Sequence, residues 1–197
     1  MKEYSASLVS QSFWFIETKK VIGLIFDGMP KEDIKKKCID DNYLGLPNHD
    51  RNLRAFSCIT SRFECLSDKY IDLFVKSDLN TQKLINFIAI MKKDRLLFEF
   101  MYEVYREKII IGVNNIERKD INVFFSRKDI ESEKVAKISD VTKKRLGSNY
   151  FNFMEEANLI NHKKEIQFPI LNVELENLLK ETGDVSILKA LTGGEME

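Results

Sequence analysis

The chain has 197 residues, which is enough for one large domain or two small ones. Hydrophobic side chains make up 44% of it and charged side chains 31%, which excludes global disorder because a core can be buried. The 31 basic and 31 acidic side chains cancel to a net charge of zero, which excludes a uniformly basic nucleic-acid binder but allows a local basic face.

The first third of the chain is predicted to be helical. Apolar side chains at helical spacing predict helices over residues 9–26, 31–41 and 50–66. Pro30 favours the start of the second helix, because its missing N–H costs nothing at the first helical position. Gly45 lies in the turn before the third helix.

The third helix carries a candidate binding face. Its apolar side chains gather on one side, whereas Arg51, Arg54 and Arg62 fall within a narrow arc on another side. One interpretation is an ordinary solvated face. The other is a phosphate-contacting face, because the second helix, the turn and the third helix have the order of a helix-turn-helix.

The helical pattern continues over residues 67–75, 80–92 and 95–111. Residues 112–115 then predict a domain boundary, so residues 1–114 are expected to form an N-terminal helical domain. Near its start, Phe13, Trp14 and Phe15 are either core residues or a docking surface for another protein.

After a short predicted helix at residues 120–127, a long helix runs from Ser139, its N-cap, to Ala157. The inner face is predicted to hold Leu146, Tyr150, Phe153, Met154 and Ala157, and the outer face to hold Lys144, Arg145, Ser148 and Asn152. The basic residues lie in the first turns, where positive charge opposes the helix macrodipole. This arrangement indicates a DNA recognition helix, whose N-terminal turns approach phosphates and base edges.

The residues after this helix predict a β-wing. Asn158 tolerates the left-handed conformation that ends a helix. Lys163 and Lys164 form a basic tip with His162, and apolar side chains alternate over residues 166–170 as in an edge strand. A closing helix at 173–180 completes a winged helix-turn-helix, so residues 115–191 are expected to form a second domain. Residues 192–197 are expected to be a frayed tail.

The motifs of the common enzyme classes are absent from the sequence. The two histidines have no cysteine or carboxylate at a familiar metal-ligand spacing, and no phosphate-binding glycine loop or nucleophile elbow is present. The three cysteines are expected to be free thiols. We therefore expect no catalysis, no metal, no cofactor and no small-molecule substrate, and, since no apolar run reaches about 20 residues, a cytoplasmic protein without a membrane span.

Several segments in this order resemble the BrxA family, the small components of bacterial BREX phage-exclusion systems, over nearly the whole chain. The segments that carry the resemblance are residues 4–8, 62–63, 66–68, 82–83, Phe100, 103–104, 106–108, Asp120 with 124–125, 138–144 and 154–160. The resemblance implies a non-enzymatic, DNA-binding accessory role in phage defence, beside a methyltransferase and a large ATPase. It also implies a fold similar to the antitermination protein NusB.

The sequence as a whole predicts a mainly α protein, a helical bundle (NusB-like or helix-turn-helix) followed by a winged helix-turn-helix with a short β-hairpin. The leading hypothesis is binding of double-stranded DNA, mainly through phosphates. The alternatives are a protein–protein assembly module and, from the NusB analogy, RNA binding. The predicted contact residues are Lys144, Arg145, Ser148, Asn152, Lys163, Lys164, Arg51, Arg54 and Arg62.

Overall fold

The computed structural model describes residues 3–194 and is mainly helical, which confirms the predicted class. The helices are α1 (Phe15–Phe26), α2 (Lys31–Ile39), α3 (His49–Phe63), α4 (Asp68–Lys76), α5 (Leu79–Lys93), α6 (Arg95–Phe100), α7 (Arg106–Ile110), α8 (Arg118–Glu131), α9 (Glu133–Ala136), α10 (Asp140–Glu156), α11 (Val173–Glu181) and α12 (Val185–Thr192). A 3₁₀ turn, Ser7–Ser10, precedes α1, and a π-helical segment, Met101–Tyr105, joins α6 to α7.

The predicted β-hairpin is reduced to a turn. Residues 3–194 contain no strand. A single antiparallel bridge between Ile160 and Ile166 closes the turn, and a second one joins Glu165 of the turn to Asn115, before α8. The last ladder hydrogen bond runs from the Gln167 N–H to the Leu159 carbonyl, at 2.8 Å. Pro169 follows two residues later and has no N–H to continue the ladder.

The chain divides into two compact units. The contiguous unit is Trp14–Ala89, and the discontinuous unit combines the residues up to Phe13 with those from Ile90 onward. The boundary predicted between residues 114 and 115 lies inside the discontinuous unit. It stays a prediction about independently folding domains.

The contiguous unit packs α1, α2, α3 and α4 around an apolar core. Ile22 and Ile59 are fully buried, and the rings of Phe63 and Phe74 meet edge to face with their centroids 5.7 Å apart. Asn48 caps α3, because its side chain accepts a hydrogen bond from the Arg51 N–H at 2.9 Å. Residues 40–48 connect α2 to α3, and these nine residues exceed the three or four of a helix-turn-helix turn.

In the discontinuous unit the N-terminal segment packs against helices that follow much later in the chain. The Asn149 side-chain amide, on α10, donates to the Leu8 carbonyl at 2.7 Å, and Leu8 is buried. The Tyr4 hydroxyl donates to Glu99 at 3.0 Å. The Phe13 ring lies 6.0 Å from the Phe153 ring.

The burial of the aromatic N-terminal segment decides between its two interpretations. Phe13 and Trp14 are 4% and 9% exposed, so both are buried. The prediction of a docking surface is therefore wrong for Phe13 and Trp14, because a docking surface requires exposed apolar area. It stays a prediction for Phe15, which is half-buried.

A buried charge cluster joins α6, the π-helical segment and α8. The Lys128 ammonium is 3% exposed and lies 2.8 Å from Glu99, 2.6 Å from Glu103 and 2.8 Å from Glu131. Burial alone lowers the pKa of Lys128, but the hydrogen bonds to the three carboxylates outweigh it and raise that pKa. Burial likewise raises the pKa of Glu99, but hydrogen bonds from Lys128, Arg95 and Tyr4 outweigh it and lower that pKa. Lys128 and Glu99 therefore stay ionised at neutral pH.

Helices α8 and α10 approach closely at Gly147. A Cβ atom added there would lie 2.5 Å from Cγ2 of Ile121, so only glycine fits without a shift of that buried side chain. The glycine thus sets the spacing of α10 on α8, and with it the position of the outer face of α10.

Candidate nucleic-acid interface

The long helix α10 is held as the sequence predicted. The Ser139 hydroxyl accepts a hydrogen bond from the Thr142 N–H at 3.3 Å, and Asn158 has a φ of 58°, the left-handed conformation expected after the helix. All the predicted inner-face residues are buried: Leu146, Tyr150, Phe153, Met154 and Ala157. The opposite face is therefore presented outward by a fixed helix.

The outer face of α10 carries the predicted polar side chains and one cation that sequence analysis missed. Lys144, Arg145 and Asn152 are exposed, and Ser148 is half-buried. Arg118, exposed at the start of α8, places its Nη2 atom 3.3 Å from the Ser148 hydroxyl. The structure thus brings Arg118 together with the predicted residues of α10. We call Arg118, Lys144 and Arg145 the α10 basic cluster.

The neighbouring Lys143 takes no part in this cluster. Its ammonium lies 2.7 Å from the Asp129 carboxylate of α8, and its side chain is only 10% exposed. The side chain therefore points inward, and its charge is neutralised inside the α8–α10 contact.

The predicted basic tip contributes less positive charge than its sequence indicates. Lys163 is exposed, but the Lys164 ammonium lies 2.7 Å from Glu155 and 5.5 Å from the centre of the Phe151 ring. The Lys164 backbone has a φ of 65°, so the turn directs this side chain back toward α10. Lys164 therefore neutralises Glu155, and Lys163 is the cation that the tip presents.

The second predicted face, on α3, needs one correction. Arg51 and Arg54 are exposed, and the Arg51 guanidinium lies 5.6 Å from the centre of the Trp14 ring, in a cation–π contact. Arg62 is only 1% exposed, so its predicted role in contacting phosphates is wrong. Helical periodicity gives the direction of a side chain, but other segments decide which turns of that side are covered.

An exposed apolar surface runs from the end of the turn to the first residue of α11. Phe168, Ile170 and Val173 are 62%, 94% and 70% exposed. The surrounding residues 165–181 hold four glutamates and one lysine, Lys180, which pairs with Glu176 at 2.6 Å. We call Phe168, Ile170 and Val173 the apolar segment; its acidic surroundings disfavour nucleic acid there and favour a protein surface.

The histidine, cysteine and carboxylate side chains are the remaining candidates for metal binding and nucleophilic chemistry. Among residues 3–194 no group of three His, Cys, Asp or Glu side chains is arranged to hold a metal ion. Burial raises the pKa of the Cys38 thiol to about 11, so the thiol stays protonated at neutral pH and is a poor nucleophile. No helix within the described part of the chain is long and apolar enough to span a bilayer.

The fold and this site define a mainly helical protein that presents exposed basic side chains in the first turns of one helix. The BrxA family model matches residues 2–183. A protein of Bacillus cereus (strain H3081.97) described as BREX protein BrxA is 33% identical over 193 residues, which cover 96% of either chain. This chain therefore belongs to the BrxA family, which confirms the resemblance found in the sequence.

The fold also occurs in a solved structure. The crystal structure of an uncharacterized protein from Magnetospirillum magneticum superposes with a TM-score of 0.81, covering 98% of this chain and 100% of that one. The sequence identity is 16%, so this likeness concerns the fold alone.

Proposed function

We propose that this protein is a non-enzymatic accessory component of a BREX phage-defence system that binds double-stranded DNA, mainly through phosphates. The α10 basic cluster carries this proposal, because Arg118, Lys144 and Arg145 are exposed together on one rigid helix pair. Phosphate attraction acts over about 8–10 Å at physiological salt, so a local cluster can bind DNA although the net charge is zero. Membership in the BrxA family supports the place in a BREX system.

The order of elements around the cluster supports a winged helix-turn-helix. A three-residue turn, 137–139, connects the short α9 to α10, and the bridged turn follows α10 where a wing would lie. In this arrangement α10 is the recognition helix, and Lys163 is the wing cation. A NusB-like arrangement of the other helices remains a prediction from the family resemblance.

We also propose that the protein acts in the cytoplasm, where the DNA is accessible, beside the BREX methyltransferase and ATPase, without a cofactor or small-molecule substrate. Arg51 and Arg54 would form a second phosphate-contacting face on α3. Both are exposed and on successive turns of one helix.

The experiment is fluorescence anisotropy with a labelled 30-base-pair duplex at several salt concentrations. The wild type should bind with a log–log salt slope of about −0.9 per phosphate contacted. Lys144→Glu/Arg145→Glu should weaken binding about tenfold or more and reduce the slope by about two units. Arg51→Gln/Arg54→Gln tests the second face in the same way.

The matched control is Lys180→Glu/Lys189→Glu, which makes the same change of charge on α11 and α12. If this control variant weakens DNA binding as much as the α10 variant does, the DNA is attracted by overall charge, and the assignment of the binding site to the α10 basic cluster is wrong. Unchanged affinity and slope in both proposed-face variants would refute the DNA contacts. Better competition by a duplex RNA of the same sequence would indicate RNA as the ligand.

The second candidate function is an assembly module, and the apolar segment favours it. Ile170 is 94% exposed in acidic surroundings, so the fitting occupant is an apolar surface of another BREX protein that is bordered by basic residues. Like charges disfavour a second copy of the same segment.

The test is co-expression of the tagged chain with the other proteins of its BREX system. The variant is Phe168→Asp/Ile170→Asp, and the control is Val123→Asp, at an exposed valine on α8. If an identified BREX protein is recovered equally with the wild type, the Phe168→Asp/Ile170→Asp variant and the Val123→Asp control, the apolar segment is excluded as its binding surface.

A further inference from the structure

Three neutral polar side chains lie on the outer half of α10, and two of them form hydrogen bonds within the protein. The Ser148 hydroxyl donates to the Lys144 carbonyl at 3.0 Å and accepts from Arg118 at 3.3 Å. The Asn149 amide donates to the Leu8 and Val9 carbonyls, at 2.7 and 3.3 Å. Asn152 is exposed and makes no contact of this kind within the part of the chain that the structure describes. Its carboxamide therefore keeps both its donor and its acceptor for a ligand.

Asn152 lies on the same face of α10 as Arg145. At about 100° per residue it lies roughly 20° from Arg145 and 80° from Lys144 around the helix axis. It lies about 12 Å beyond Lys144 along that axis, so its carboxamide would face the same groove if this face of α10 entered the DNA. Glu156, exposed one turn further, repels phosphates and so limits the cationic contacts to the earlier turns.

A carboxamide in this position matches one base. In the major groove adenine presents the N7 acceptor and the N6 donor, and an asparagine side chain can bind both at once. We infer that Asn152 reads an adenine of an A·T base pair, which gives this protein a sequence preference at one position. The inference rests on the proposed DNA-binding function. Such a bidentate contact discriminates against other bases by about tenfold.

The test has two stages. First, duplexes with a random 20-base-pair centre are selected on the wild type, on Asn152→Ala and on Asn177→Ala, an exposed asparagine of α11 that serves as the control. Sequencing should show A·T enriched at one position for the wild type and Asn177→Ala, but not for Asn152→Ala. The three salt slopes should be equal, because Asn152 carries no charge.

Second, 7-deazaadenine replaces the enriched adenine and removes the N7 acceptor. Wild-type affinity should fall about threefold, because one of the two hydrogen bonds to adenine is lost, whereas that of Asn152→Ala should not change. Circular dichroism confirms that the variant, altered at an exposed position, is folded. If the wild type binds DNA without a preference, or if Asn152→Ala keeps the preference, this inference is overturned and DNA binding stands. If the wild type binds no DNA, the proposed function itself fails.

Discussion

The Lys143 ammonium lies 2.7 Å from Oδ1 and 2.8 Å from Oδ2 of Asp129, and this ion pair fastens the first turns of α10 to α8. The adjacent Lys144 is exposed. Two successive lysines thus have different tasks, the first in orienting the helix and the second in presenting charge. The difference can be measured.

Lys143→Met is expected to lower the free energy of unfolding by about 1–3 kcal/mol, because it leaves the Asp129 carboxylate without its partner in a partly buried site. Asp129 is 34% exposed, so water offsets part of the loss. Urea denaturation measures the effect. Lys144→Met, one residue along, is the control and should change stability by less than about 0.5 kcal/mol. Equal losses in the two variants would contradict the assignment.

Gly147→Ala is expected to destabilise the protein, although alanine is ordinarily favoured over glycine inside a helix by about 1 kcal/mol. The added Cβ would lie 2.5 Å from Cγ2 of Ile121, and such overpacking costs about 1–3 kcal/mol. Thermal unfolding should show a lower Tm. Ile121→Leu, which removes the branch at Cβ, should recover part of the loss in the double variant. Gly23→Ala on α1 is the control, because no atom lies within 4 Å of its added Cβ, and its Tm should rise or stay unchanged.

Acid is expected to destabilise the charge cluster around Lys128. The pKa of Glu99 is lower in the folded chain than in the unfolded one, so its contribution is complete above the ordinary glutamate pKa of about 4.3. The contribution is then lost as the pH falls through the folded pKa. The free energy of unfolding should therefore decrease below about pH 5, and Glu99→Gln should flatten this dependence. An unchanged slope in Glu99→Gln, or an equal flattening in the exposed Glu174→Gln, would be evidence against the cluster.

Glu156→Gln is expected to strengthen binding to every duplex by about two- to fivefold, or ~0.4–1 kcal/mol, because it removes an exposed negative charge beside Asn152. The gain should shrink as salt is raised, since exposed charges are screened. Anisotropy titrations at low and high salt measure it. Glu174→Gln on α11 should give no gain, and a gain that depends on DNA sequence would show that Glu156 contacts bases.

The sequence predicts best what depends on neighbours along one helix. The Ser139 cap, the inner face of α10 and the left-handed Asn158 follow from local spacing and backbone preference, and the structure has all three. Contacts between distant segments escaped prediction. Arg118 reaches Ser148 from thirty residues away, and Lys164 is occupied by Glu155, so the set of exposed cations differs from the predicted one.

Element boundaries show the same limit. Residues 95–111 have one continuous helical pattern, but the π-helical segment Met101–Tyr105 interrupts the α-helix. The last residue of that segment, Tyr105, is buried, and its hydroxyl donates to the Gln167 carbonyl at 3.3 Å. At the other end, the expected frayed tail 192–197 begins inside α12, which ends at Thr192 and is followed by a left-handed Gly193. Residues 195–197 of that expectation lie outside the described residues.

The attachment of the N-terminal segment to α10 has a consequence for the order of events during synthesis. Leu8 leaves the ribosome 141 residues before Asn149, the side chain that holds its carbonyl. Because synthesis proceeds at about 5–20 residues per second, Asn149 is added roughly 7–28 s after Leu8. All the residues of the contiguous unit have been synthesised once Ala89 is added to the chain. We therefore expect it to fold while the chain is still growing, with the aliphatic side chain of Leu8 open to chaperones until α10 emerges.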